Sequence, residues 1–120
     1  MQYLLLIYDN EKEFAAMSQE QFGVMFGEYR AFTESIKSSG HYIGGNPLQP
    51  TTTASTVRVR GGKRAVTDGP FAETKEQLGG YYLVEAKDLD EATELAARIP
   101  GAKVGSIEVR PIQEMGPPPA

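Results

Sequence analysis

The apolar positions of this chain change period along its length, and those changes mark out its elements. Tyr3-Leu4-Leu5-Leu6-Ile7-Tyr8 is apolar without alternation, the pattern of a central strand covered on both faces. Ser18 with Gln21 three residues later reads as a capping box, after which Phe22, Met25, Phe26, Tyr29, Phe32 and Ile36 recur at helical spacing until Gly40. This predicts a long amphipathic helix. A short strand over 41–44 follows, then a Pro- and Thr-rich connection over 47–54. Thr56 to Arg60 and Lys63 to Thr67, joined by Gly61-Gly62, predict a hairpin with a two-residue turn. Tyr81 to Ala86 is a further strand. Asp88 and Glu91 open a second helix whose stripe is Leu89, Ala92, Leu95, Ala96 and Ile99, stopped by Pro100. Ser106 to Ile112 is the last strand, and Pro111 puts its end at a sheet edge.

The order strand, helix, strand, hairpin, strand, helix, strand is that of an α+β fold: ferredoxin-like βαββαβ with an inserted β-hairpin and an antiparallel sheet. Two helices cover one face of such a sheet. The first strand offers apolar side chains to both faces, so something else must bury the second. A second copy of the sheet is the simplest cover, which predicts a homodimer of the dimeric α+β barrel type with an apolar interface above roughly 1,600 Å². A cleft between sheet and helices, or inside the barrel, would then take a small ligand.

A length of 120 residues with 40% hydrophobic content fits one domain over 1–114, followed by a Pro-rich tail over 115–120 expected to be mobile. The net charge of −4 argues against a nucleic-acid partner, which would need clustered cations. Arg58, Arg60, Lys63 and Arg64 do cluster, but on the hairpin, where they read as a solvated tip that guards an edge. With no cysteine there is no disulfide, thiolate nucleophile or Cys metal site. One His among scattered carboxylates has no recognised metal-ligand spacing, and the paired glycines lie at a hairpin and a strand start rather than in a phosphate loop. The absence of a long apolar run or leader predicts no membrane span and a cytoplasmic location.

Chemistry concentrates between Thr67 and Val84. Asp68-Gly69-Pro70 imposes a sharp turn, and Phe71 is the residue expected to tuck inward and pin it, leaving Glu73, Lys75 and Glu76 at the rim. The wording DGPFAETKE followed by GGYYLVE resembles the DGPF branch of the YCII-related family of small bacterial proteins. So do Met1 to Tyr8, Gly45-Asn46-Pro47-Leu48 and Ile107 to Ile112, and the resemblance covers nearly the whole chain. It implies the dimeric barrel architecture. The family's better-known branch carries a His and Asp pair, for which His41 and Asp68 are the candidates here; in the DGPF branch the first position is not reliably His.

Asp68, at a strand end, reads either as a half-buried general acid or base, or as a turn residue accepting from the Gly69 and Phe71 backbone. His41 follows the helix C-terminus, where the dipole favours its protonated form, and reads as a catalytic partner or a helix-end residue. Glu73, Lys75 and Glu76 form either a charged lip for a cation or a polar substrate, or a self-neutralising loop. Tyr8, Tyr81 and Tyr82 line a pocket or simply pack. Two function classes follow. One is a cofactor-free enzyme acting on a small organic molecule, with Asp68 as acid or base. The other is a ligand-sensing or partner-binding module. The resemblance implies for it a link to extracytoplasmic-function sigma factors without DNA contact.

Overall fold

The computed structural model describes residues 1–118, so the end of the Pro-rich tail lies outside the described residues. The chain runs β1 (Gln2–Asp9), α1 (Glu11–Ala15), α2 (Gln19–Ser38), β2 (Tyr42–Pro47), β3 (Ser55–Arg60), β4 (Lys63–Asp68), β5 (Gln77–Glu85), α3 (Leu89–Ala97) and β6 (Ser106–Pro111), with short 3₁₀ turns at Thr51–Thr53 and Pro100–Lys103. β2, β5, β1 and β6 lie side by side in that order, each pair antiparallel. This is the ferredoxin-like arrangement, and β6 with Pro111 is an edge strand as its sequence predicts.

Local signals set the helix ends. Ser18 and Gln21 form the reciprocal capping box of α2, and Asp88 accepts from the Glu91 amide at the start of α3. Gly40, at φ 81, lets the chain leave α2 in the left-handed region. The one-turn helix α1 has no apolar stripe to announce it. It exists because Asn10 accepts from the Lys12 and Glu13 amides, and because Glu11 holds the following connection through the Thr51 amide (2.7 Å) and hydroxyl (2.8 Å).

The core lies on the helix side of the sheet, where Tyr3, Leu5 and Ile7 of β1 and Tyr82 and Val84 of β5 meet Phe32 and Ile36 of α2 and Leu95 and Ile99 of the α3 region. Leu4, Leu6 and Leu83 point to the opposite face, since residues paired across strands share a face, away from the buried side chains of α2 and α3. The stripe of α2 behaves differently along its length. Phe32 and Ile36 are buried, whereas Phe22, Met25 and Tyr29 are only half-buried and Phe26 is exposed. The N-terminal half of the helix thus stands off the sheet and leaves a space beneath it.

The hairpin is the element that departs most from a compact domain. Gly61 and Gly62, at φ 58 and 76, make its two-residue turn, and β3 and β4 pair only with each other. Every residue of the two strands except Thr56 is exposed. Phe71, expected to be tucked inward, is instead 79% exposed, because the loop after Gly69 has no part of its own chain to pack against.

Candidate active site

The space under α2 is a cleft of about 530 Å³, floored by Ile7, Tyr42 and Tyr82 and roofed by Phe22, Met25 and Tyr29. It reaches out past Phe26, Arg30 and Leu48, and Asp9 closes it at the end of β1. The lining is mostly apolar with a few convergent polar groups, which is the make-up of a small-molecule site.

Asp9 is its distinctive member. Burial pushes its carboxyl above the usual carboxylate range, and the negative charges of Glu11 and Glu76 push it the same way. One carboxylate oxygen lies against Gly79, where an added Cβ would sit 3.2 Å away. Tyr29 shares the space. Its phenol is pushed up to about 12 by burial, with a further contribution from the Asp9 charge, while the facing Gly101 backbone opposes the shift. Tyr29 is therefore a protonated donor at any physiological pH. Tyr82 is engaged differently. The Thr33 hydroxyl lies 2.8 Å from the Tyr29 carbonyl and 2.7 Å from the Tyr82 hydroxyl, where it can donate to either. Burial raises the Tyr82 phenol, Thr33 pulls it back, and Tyr82 serves as a fixed wall.

The cleft brings together only some of the residues singled out from sequence. Tyr81 and Tyr82 line it, Tyr81 accepting from the Asn46 amide at 2.9 Å. Glu76 is half-buried, accepts from Ser106 at 2.8 Å and bears electrostatically on Asp9. Tyr8 lies elsewhere, donating to Glu108 at 3.3 Å. Glu73 and Lys75 are exposed. Asp68, expected half-buried, is exposed at the end of β4 and does not line the cleft. Its turn role is not seen either, since the Gly69 amide bonds the Ala54 carbonyl at 2.7 Å and Asp68 has no side-chain hydrogen bond among the described residues. His41 does not line the cleft: its ring meets Ser39 Oγ at 2.6 Å and Glu91 at 3.1 Å, tying the end of α2 to the start of α3.

The sequence reading missed Asp9, Tyr29 and Arg30. The available signals were a carboxylate ending the most apolar strand and the one hydroxyl-tipped aromatic in the α2 stripe. Among the described residues no three His or acidic side chains converge as metal ligands, nor is any helix long and apolar enough to cross a membrane.

Gly101 offers a test of the geometry from outside the cleft. A Cβ there would lie 2.7 Å from the Tyr29 hydroxyl and 3.3 Å from Ile7 Cγ2, so Gly101→Ala must displace the phenol. We expect weakened ligand binding with secondary structure intact, read by calorimetry and far-UV circular dichroism; unchanged binding would place the Tyr29 hydroxyl outside the ligand's reach.

Comparisons with known proteins agree with the topology. An uncharacterized protein of Rhizobium meliloti (strain 1021) is 40% identical over 114 residues, spanning 93% of this chain and 92% of its own. Among solved structures, the 5-chloro-2-hydroxyhydroquinone dehydrochlorinase TftG of Burkholderia phenoliruptrix, in complex with 2,5-dihydroxybenzoquinone, is similar in fold. It has a TM-score of 0.52 and 16% identity over 96% of each chain. The model of the YCII-related domain matches residues 1–116, and the chain belongs to the YCII-related family.

Proposed function

We propose that this protein is an acid–base enzyme acting on a small, oxygenated organic molecule held under α2. The observation that carries this reading is Asp9: a carboxylate with a raised pKa, at the end of a largely apolar cleft that it shares with a phenol that stays protonated. Asp9 takes a proton from a carbon or hydroxyl next to a carbonyl. The Tyr29 hydroxyl donates to the oxyanion that develops, and Arg30 at the rim attracts an anionic substrate. Proton transfer of this kind needs no cofactor. The acid–base role expected of Asp68 is given in this reading to Asp9, which lines the cleft where Asp68 of the same chain does not. The fold neighbour, named for dehydrochlorination of a hydroxyhydroquinone, supports oxygenated rings as the first probes.

The test combines calorimetric titration with 2,5-dihydroxybenzoquinone and turnover of a panel of hydroxylated quinones and enolisable cyclic ketones. Wild type and Asp68→Asn should bind and turn over, whereas Asp9→Asn should bind without turnover. Equal turnover by Asp9→Asn would refute the assignment. Saturable binding with no turnover by any variant would favour the ligand-sensing reading, for which no feature of the cleft or its relatives supplies a sigma-factor contact.

We also propose that the working unit is a homodimer in which the face carrying Leu4, Leu6 and Leu83 meets its equivalent, burying more than roughly 1,600 Å². Light scattering should report twice the chain mass of 13.1 kDa at micromolar concentration. A stable, folded monomer would rule the dimer out.

A further inference from the structure

The β3–β4 hairpin is an arm without a seat. A two-stranded hairpin alone is marginally stable in water, yet this one is exposed along both strands and has no other strand beside it. Its reach shows in the dimensions of the molecule: the radius of gyration is 16.9 Å, against about 13.6 Å for a compact chain of this length.

Its surface is two-sided. Val57 pairs with Val66, and Val59 lies two residues along, so the three share one face; they are 58%, 56% and 60% exposed. Phe71, just past the base of β4, adds an exposed ring. Solvated tips do not need such a face.

Charge indicates what covers it. Arg58, Arg60, Lys63 and Arg64 with Asp68 give the arm a net +3, so the net −4 of the chain leaves −7 on everything else. No arm cation forms an ion pair among the described residues, and neither do Glu13, Glu20 or Glu28 on α1 and α2, the helices beside the cleft. The mouth of that cleft exposes apolar side chains of its own, Phe26 and Leu48 both being uncovered, as Leu89 and Val104 are elsewhere on the body. A basic arm with an apolar face and an acidic body with an apolar cleft mouth are complementary, and a second copy supplies each with the other under two-fold symmetry.

We propose that the arm of one protomer, with its Phe71 loop, packs across the cleft mouth of a second copy of this chain and closes that cleft against water. Phe71, which has no role in its own chain's cleft, then stands at the partner's. The exchange is reciprocal, so each dimer has two closed sites.

The experiment places the photo-crosslinker p-benzoylphenylalanine at position 71 of the full-length protein, prepared as a mixture of ¹⁴N and ¹⁵N chains. Irradiation should give covalent dimers containing mixed-isotope peptides that join position 71 to α1, α2 or residues 46–48 of the other chain. Val59→Glu in the same background should cut that yield at least tenfold while the far-UV spectrum of the body persists. Cross-links confined to one chain, links mapping to other surfaces, or an undiminished yield in Val59→Glu would overturn the proposal. The readout requires no turnover, so it is independent of the role assigned to Asp9.

Discussion

Asp9→Asn should lower turnover by about 10²-fold or more while making the folded protein more stable at neutral pH. Both effects come from one cause. Burial and the charges of Glu11 and Glu76 disfavour the ionised carboxylate, so the native state binds the Asp9 proton more tightly than the unfolded chain does. Below the ordinary value of 3.8 both states are protonated, and Asp9 has no effect on stability. As pH rises from there through the raised native value, the unfolded chain ionises first and stability falls; above it the loss is constant. Asn keeps the size and carries no charge, so the mutant lacks that loss at neutral pH. A general base must be ionised, and wild-type activity should therefore rise with pH on a limb displaced above the ordinary carboxylate range. Chemical denaturation of wild type and mutant across pH, beside a rate profile, measures both. A mutant destabilised at pH 7 would show that Asp9 holds the fold rather than serving the chemistry.

Ile36→Ala should cost about 2–5 kcal/mol of folding stability, enough to lower the melting temperature by roughly 10 °C or more. Met25→Ala, on the same stripe of the same helix, should cost about 1 kcal/mol and show itself in ligand binding instead. Ile36 is fully enclosed between α2 and the sheet, so truncation leaves a cavity that the surrounding core cannot close. Met25 roofs the cleft and already faces open space. Its loss enlarges a site rather than opening a hole. Denaturant titration with calorimetry of 2,5-dihydroxybenzoquinone binding separates the two effects. Equal destabilisation would mean that the whole helix is seated on the sheet and that the cleft is closed in solution.

The fold was legible in the sequence and the site was not, and the reason is physical. Capping at Ser18 and Asp88, the Gly61-Gly62 turn and the position of Pro111 rest on short-range hydrogen bonding and backbone sterics, so they are written in a few adjacent residues. The central placement of β1 follows from its unbroken apolar run. Asp68 drew attention because turn chemistry is conspicuous in a sequence, and Phe71 because an aromatic after a turn ordinarily goes inside. Exposure of each was settled by where the arm points, which no local signal records.

The sequence by itself determined the elements other than α1, their order and the ferredoxin-like topology, since period, caps and turns are local properties and few topologies suit that order. Only the tertiary structure decided the site. The α2 stripe reads as uniform from Phe22 to Ile36, and its division into a packed half and a raised half depends on how the helix axis lies over the sheet. That tilt gathers Asp9, Tyr29 and Arg30, distant from the DGPF segment in sequence, around one space. It also gives Asp9 the burial that lifts its pKa, because desolvation is a property of surroundings and not of residue type.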